Sequence, residues 1–207
     1  MTAPRVHLVH GFNVSDGGSD TVGKLAPYFA LQGFEVVDHD YGWVFLLRLR
    51  RRNEKVVRRL EAECQPGDVL IGHSNGALLC WEALHQGCKP SSVICIQPAM
   101  RKDTHWPESI PVLCLFNRKD RIVSLGRAWS RFISVANPFR NRHGWGAAGR
   151  HGFVVGQPNV RNQDTDQPPV PARGHSGIFG IRELLHWGPR IQRWATHQLT
   201  RYLEGIR

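Results

Sequence analysis

Val69-Leu70-Ile71-Gly72-His73-Ser74-Asn75-Gly76 carries a short apolar run straight into a Gly-x-Ser-x-Gly pentapeptide. A brief aliphatic run closed by glycine reads as a buried strand, and residues 75 to 87 read as a helix. A strand that turns into a helix within one residue strains the residue at the tip. Glycines two positions either side keep the turn free of side-chain clashes. A serine at that tip presents its hydroxyl at the end of the strand, which is the placement a nucleophile needs. With 21 glycines in 207 residues, composition alone can produce such a pentapeptide. Its meaning therefore depends on the surrounding sequence.

Working outward, apolar runs at Val6-His7-Leu8-Val9, Gly33-Phe34-Glu35-Val36-Val37, Val93-Ile94-Cys95-Ile96 and Val112-Leu113-Cys114-Leu115-Phe116 read as further strands. They alternate with helix-like stretches at 19 to 31, 44 to 63, 75 to 87, 124 to 134 and 188 to 204. That alternation predicts an α/β fold, a mostly parallel central sheet with helices on both faces. The length suits one core, so residues 1 to 207 are expected to form a single domain. Residues 136 to 174 break the pattern: Gly and Pro are dense and Gln167-Pro168-Pro169-Val170-Pro171 closes the stretch. It reads as a long, ordered, irregular insertion, with 152 to 156 and 160 to 162 as candidate short strands.

No window is apolar enough over sufficient length for a bilayer crossing, and the N-terminus lacks the longer apolar region of a secretory signal. A cytoplasmic setting is the expectation. The five cysteines show no Cys-x-x-Cys spacing and read as small buried thiols.

A serine hydroxyl needs a base, a group to orient that base, and donors for the oxyanion that forms. Asp120 follows the fifth predicted strand, whose end would deliver a carboxylate to the same sheet edge as Ser74. His175 follows in Gly174-His175-Ser176-Gly177, flanked by small residues. Asp103, after the fourth strand, is the alternative acid, and His143, His151 and His186 compete with His175 as base.

The order Ser74, Asp120, His175, with the serine on an elbow, resembles the α/β-hydrolase superfamily over nearly the whole chain. Leu8-Val9-His10-Gly11-Phe12-Asn13 is similar to its His-Gly oxyanion loop. The resemblance implies that the backbone N–H groups of Phe12 and Asn75 bind the oxyanion. It implies a trimmed α/β-hydrolase fold, since the superfamily's first two strands have no counterpart before Val6. It also implies a small, lid-poor, esterase-like or lipase-like serine hydrolase with no cofactor, acting on small or short-acyl carboxylic esters. A thioesterase or amidase would use the same machinery. The 14 residues from Gln97 to Ile110 are short for a lid, so residues 136 to 174 are the expected cover over the site. Trp43, Trp145 and Phe153 are the candidate pocket walls.

Asp38-His39-Asp40 looks like a ligand cluster, but neighbours in an extended segment point to opposite faces and cannot converge on one ion. No metal is expected. The net charge of +10 is concentrated between Arg48 and Arg59, where seven of 12 residues are basic. At helical pitch all but Arg50 fall on one side, opposite Leu49, Val56, Val57 and Leu60. A solvated helix face explains this pattern. The rival reading is a non-catalytic hydrolase-fold protein docking on an anionic membrane surface or on nucleic acid.

Overall fold

The computed structural model describes residues 3–12, 14–42, 49–123, 146–154 and 156–205. Strands β1 (Arg5–Val9), β2 (Glu35–His39), β3 (Val69–His73), β4 (Ser92–Ile96), β5 (Val112–Phe116) and β6 (Val160–Asp164) form one sheet in the order β2-β1-β3-β4-β5-β6. Every pairing is parallel. The helices are α1 (Ala26–Ala30), α2 (Leu49–Glu63), α3 (Asn75–His85), α4 (Ala148–His151) and α5 (Ile181–Gly205), with a 3₁₀ turn at Val22–Leu25.

Strand periodicity divides the core in two. Val69, Ile71, Ile94, Ile96, Leu113 and Leu115 pack with Leu25, Phe29, Trp187 and Ile191 from the 3₁₀ turn, α1 and α5. Leu70, Val93, Cys95, Val112 and Cys114 pack with Val57, Leu60, Leu79 and Cys80 from α2 and α3. Strands β3, β4 and β5 are buried at every position, as parallel strands covered on both faces must be. On α2, Val56, Val57 and Leu60 face inward while Arg51, Arg52, Lys55, Arg58 and Arg59 are exposed, matching the predicted two-sided helix. Among the described residues no helix is long and apolar enough to cross a membrane.

The structure departs from the sequence reading at several points. Part of the 136 to 174 stretch is not irregular: it contains α4 and β6, and β6 extends the sheet beyond β5. Residues 152 to 154 are not a strand. The last helix begins at Ile181 and runs through Pro189. The stripe formed by Trp187, Ile191, Ala195 and Leu199 is buried against the sheet, and that burial outweighs the one hydrogen bond proline cannot make. The helix expected at 124 to 134 lies outside the described residues.

The cysteines require a second correction. Cys80, Cys95 and Cys114 are buried free thiols, but Cys64 and Cys88 form a disulfide. These two are 24 residues apart, and the packing of α2 against α3 brings their Cα atoms to 5.9 Å. Oxidised protein unfolded in guanidinium is expected to show three thiols to Ellman's reagent, rising to five after reduction. A count of five before reduction would contradict the pairing.

Candidate active site

Parallel strands send all their carboxyl ends to one edge of the sheet. The strand order reverses between β1 and β3, and the carboxyl edge at such a switch point is where open α/β sheets bind their ligands. Ser74 sits there with φ 54° and ψ −116°, a left-handed conformation that a side chain other than glycine seldom adopts. Its N–H donates to the Ile96 carbonyl at 2.9 Å, and its own carbonyl accepts from Ala99 N–H at 3.1 Å. The flanking glycines are steric requirements. A Cβ on Gly72 would lie 2.4 Å from the Ala77 nitrogen, and one on Gly76 would lie 2.1 Å from the Val9 carbonyl oxygen. The close approach at Gly76 seats the start of α3 against the end of β1.

His175 Nδ1 lies 2.7 Å from Asp120 Oδ2, although 55 residues separate them. Asp120 is fully buried, and its Oδ1 accepts the Val123 N–H at 3.1 Å. Buried Asn117 donates to the Ala172 carbonyl at 2.8 Å, drawing the segment before His175 toward the end of β5. The competing acid is elsewhere: Asp103 is exposed and paired with Arg101, whose hydrogen bonds hold its carboxyl down to about 2.

Two further residues hold the histidine loop. The Gln97 side-chain amide donates to the Gly174 carbonyl at 2.6 Å, from a residue with φ 45°. His73 Nε2 donates to the His175 carbonyl at 3.2 Å. The His73 ring also meets the Phe179 ring edge-on. Complete burial, and then the neighbouring His175, lower the His73 pKa from 6.5 to about 3, so this ring is neutral and serves as a fixed donor.

The oxyanion loop has its own support. A Cβ on Gly11 would stand 3.1 Å from Ser74 Cβ, so the loop lies directly against the serine. The Tyr41 hydroxyl donates to the carbonyls of His10 and Gly11, each at 3.0 Å, and its ring stacks on His10 at 4.2 Å. Burial raises the Tyr41 pKa and keeps the hydroxyl protonated. Asn75 Nδ2 donates to the Tyr41 oxygen at 3.2 Å. Thus Phe12 and Asn75, the residues expected to supply the two oxyanion donors, are linked through Tyr41 and the His10-Gly11 backbone.

Of the expected pocket walls, Trp43 and Trp145 lie outside the described residues. Phe153 is 3% exposed and meets Trp106 edge-on within the α2–α3 side of the core. Its surroundings are those of a core residue. A groove of about 790 Å³ lies at the other end of the sheet, beside Pro111, Asn159 and Trp194, near where β5 and β6 begin. Chemistry at Ser74 does not reach it. Sequence reading missed Tyr41, Gln97 and Asn117. Each is a polar or aromatic residue just past a strand end, and that position was the available signal.

Solved structures share this fold over almost the whole chain. Alpha/beta hydrolase domain-containing protein 10 from mouse superposes with a TM-score of 0.61 at 14% identity, over 95% of this chain and 91% of its own. An esterase from Pyrococcus furiosus matches with a TM-score of 0.60 at 13% identity, over 96% and 84%. The chain has the α/β-hydrolase fold. The esterase RhEst1 from a Rhodococcus species is also similar, with a TM-score of 0.58 at 12% identity over 94% and 90%. No family model and no curated protein sequence matches the chain. Within the α/β-hydrolase fold this sheet is a trimmed version, and the candidate site occupies its carboxyl edge.

A buried neutral histidine makes stability depend on pH. Between about 3 and 6.5 the unfolded chain binds a proton that folded His73 does not, so this contribution is lost as pH falls through that window. Urea unfolding followed from pH 7 to 4 is expected to show a shallower loss for His73→Gln than for wild type. The difference in slope should be about one proton. Equal slopes would show that His73 accepts a proton in the folded state.

Proposed function

We propose that the protein is a serine hydrolase that cleaves carboxylic esters through an acyl-enzyme. The observation that carries this reading is the 2.7 Å contact between His175 Nδ1 and buried Asp120, facing the edge where Ser74 is held at positive φ. Two of its structural neighbours are esterases, which supports the same reading.

In this mechanism Asp120 accepts the His175 Nδ1–H, leaving Nε2 as the base. His175 takes the Ser74 proton as Oγ attacks the ester carbonyl. The N–H groups of Phe12 and Asn75 receive the oxyanion, and each such donor contributes about 2.7 to 4 kcal/mol to the transition state. His175 then protonates the departing alcohol, and water activated by the same ring releases the acid. The residues invoked need no cofactor. The short connection between β4 and β5 favours small or short-acyl esters. The same chemistry serves thioesters and amides, which makes them the comparison substrates. The Cys64–Cys88 bond weighs against a cytoplasmic setting, because disulfides persist mainly in oxidising compartments.

Labelling by a fluorophosphonate and turnover of nitrophenyl esters of increasing chain length test the reading. Ser74→Ala is expected to abolish labelling and reduce kcat by about 10⁴-fold or more. Asp120→Asn, which favours the wrong imidazole tautomer, should cost about 10⁴-fold in kcat. If Ser74 neither labels nor supports turnover above Ser74→Ala on any ester, thioester or amide, the proposal fails.

Tyr41→Phe keeps the ring against His10 and deletes the hydroxyl that ties the oxyanion loop. It is expected to lower kcat by about tenfold, a fraction of the loss from removing a donor outright. KM should change little, because the loosened loop matters most when charge develops on the oxygen. A raised KM with unchanged kcat would place Tyr41 in substrate binding instead.

A further inference from the structure

A second cluster lies on the α2-covered face at the β1–β2 side of the sheet, sharing no residue with the Ser74 site. His7 in mid-β1, His39 at the end of β2 and Glu63 at the end of α2 each offer one ligand atom. These three atoms lie within 4.8 Å of one another. Both imidazoles are buried, at 0% and 1% exposure, whereas the Glu63 carboxylate is 35% exposed and opens the cluster to solvent.

The proton arrangement can be followed from one end. Asp68 is held by Arg5 Nη2 at 3.0 Å and by the Gln65 N–H at 2.7 Å. Arg5 and Asp68 form an ion pair, which suits a carboxylate at this position. In the neutral ring, donation of the His7 Nε2–H to Asp68 at 3.0 Å leaves a lone pair on His7 Nδ1. That nitrogen lies 2.8 Å from His39 Nε2, which must then be the donor. His39 Nδ1 is consequently a bare lone pair, and it is buried with no hydrogen-bond partner among the described residues.

We propose that His7, His39 and Glu63 bind one zinc-like divalent transition ion, with water completing a four-coordinate shell. Two imidazole nitrogens and one carboxylate are the donor set of borderline ions rather than of calcium or magnesium. The Asp68 carboxylate behind His7 is the support that metal-bound histidines ordinarily have. Arg59 Nε sits 2.8 Å from Glu63 Oε1, leaving the second oxygen of Glu63 for the ion. As His39 moves its proton from Nε2 to Nδ1, the ion replaces the hydrogen bond between the rings, whose nitrogens must separate from 2.8 Å to about 3.3 Å for tetrahedral bonds of ordinary length. Strand β2, at the sheet edge, is paired on one side only among the described residues and can accommodate that shift. Bound there, the ion would tie β1, β2 and α2 together.

The full chain, stripped with EDTA, is titrated with Zn²⁺ by calorimetry and with Co²⁺ by visible absorption. Expected are one saturable site per chain, the strong visible bands of four-coordinate cobalt, and a rise in Tm with Zn²⁺. Glu63→Gln and His39→Asn should each weaken binding by about 10- to 100-fold or more, while Ser74→Ala binds as wild type. Glu63 is half-buried at a helix end, so Glu63→Gln retains the fold and decides the matter if His39→Asn does not fold. Absence of a one-to-one site, weak octahedral cobalt bands, or unchanged affinity in Glu63→Gln overturns the proposal. The readout is binding, so loss or retention of esterase activity does not enter it.

Discussion

The close approach of α3 to β1 and β3 is the contact on which the rest of the site depends. It leaves no space for a Cβ at Gly72 or Gly76, and it forces the residue between them into a left-handed conformation. A serine in that position is held by backbone hydrogen bonds to β4 and to the Pro98-Ala99 segment, so its strain is maintained by the surrounding sheet. The same approach brings the Gly11 backbone against the serine, placing the loop after β1 beside the nucleophile.

Around that contact, buried polar side chains fix the loops that no secondary structure holds. Gln97 and His73 bind the carbonyls of Gly174 and His175, Asn117 binds the carbonyl of Ala172, and Tyr41 binds those of His10 and Gly11. Each of these donors is buried. An unmet carbonyl there would be costly, so the hydrogen bonds specify one loop conformation as well as stabilising it. The candidate catalytic groups thus come from four loops, and two of these are positioned by side chains that take no part in the proposed chemistry.

Much of this was legible in the sequence because the relevant constraints are local or ordered along the chain. The apolar runs of β3, β4 and β5 are buried on both faces and need no partner to be recognised. Ser74 announces itself through glycines at fixed offsets, and Asp120 and His175 through their order after it. What sequence could not decide was whether Asp103 or Asp120 meets the histidine, because both follow strands. The Arg101 pairing of Asp103 and the burial of Asp120 separate them. Phe153, buried beside Trp106, was hard to place for a related reason: an aromatic in a Gly-rich stretch gives no sign of which side of the sheet it will face.

The cluster around His39 shows where that boundary lies. Alternation along β2 correctly separates His39 from Asp38 and Asp40, which are exposed while His39 is buried. Its actual neighbours, His7 and Glu63, come from another strand and from a helix end, just as Cys88 reaches Cys64 across the α2–α3 packing. The sequence by itself determined the layers, the elbow serine and the order of the candidate residues, since periodicity and steric demand act over a few residues. Only the tertiary structure decided which acid meets the histidine, which cysteines pair and which side chains clamp the loops. Those outcomes depend on distances between segments that no local spacing encodes.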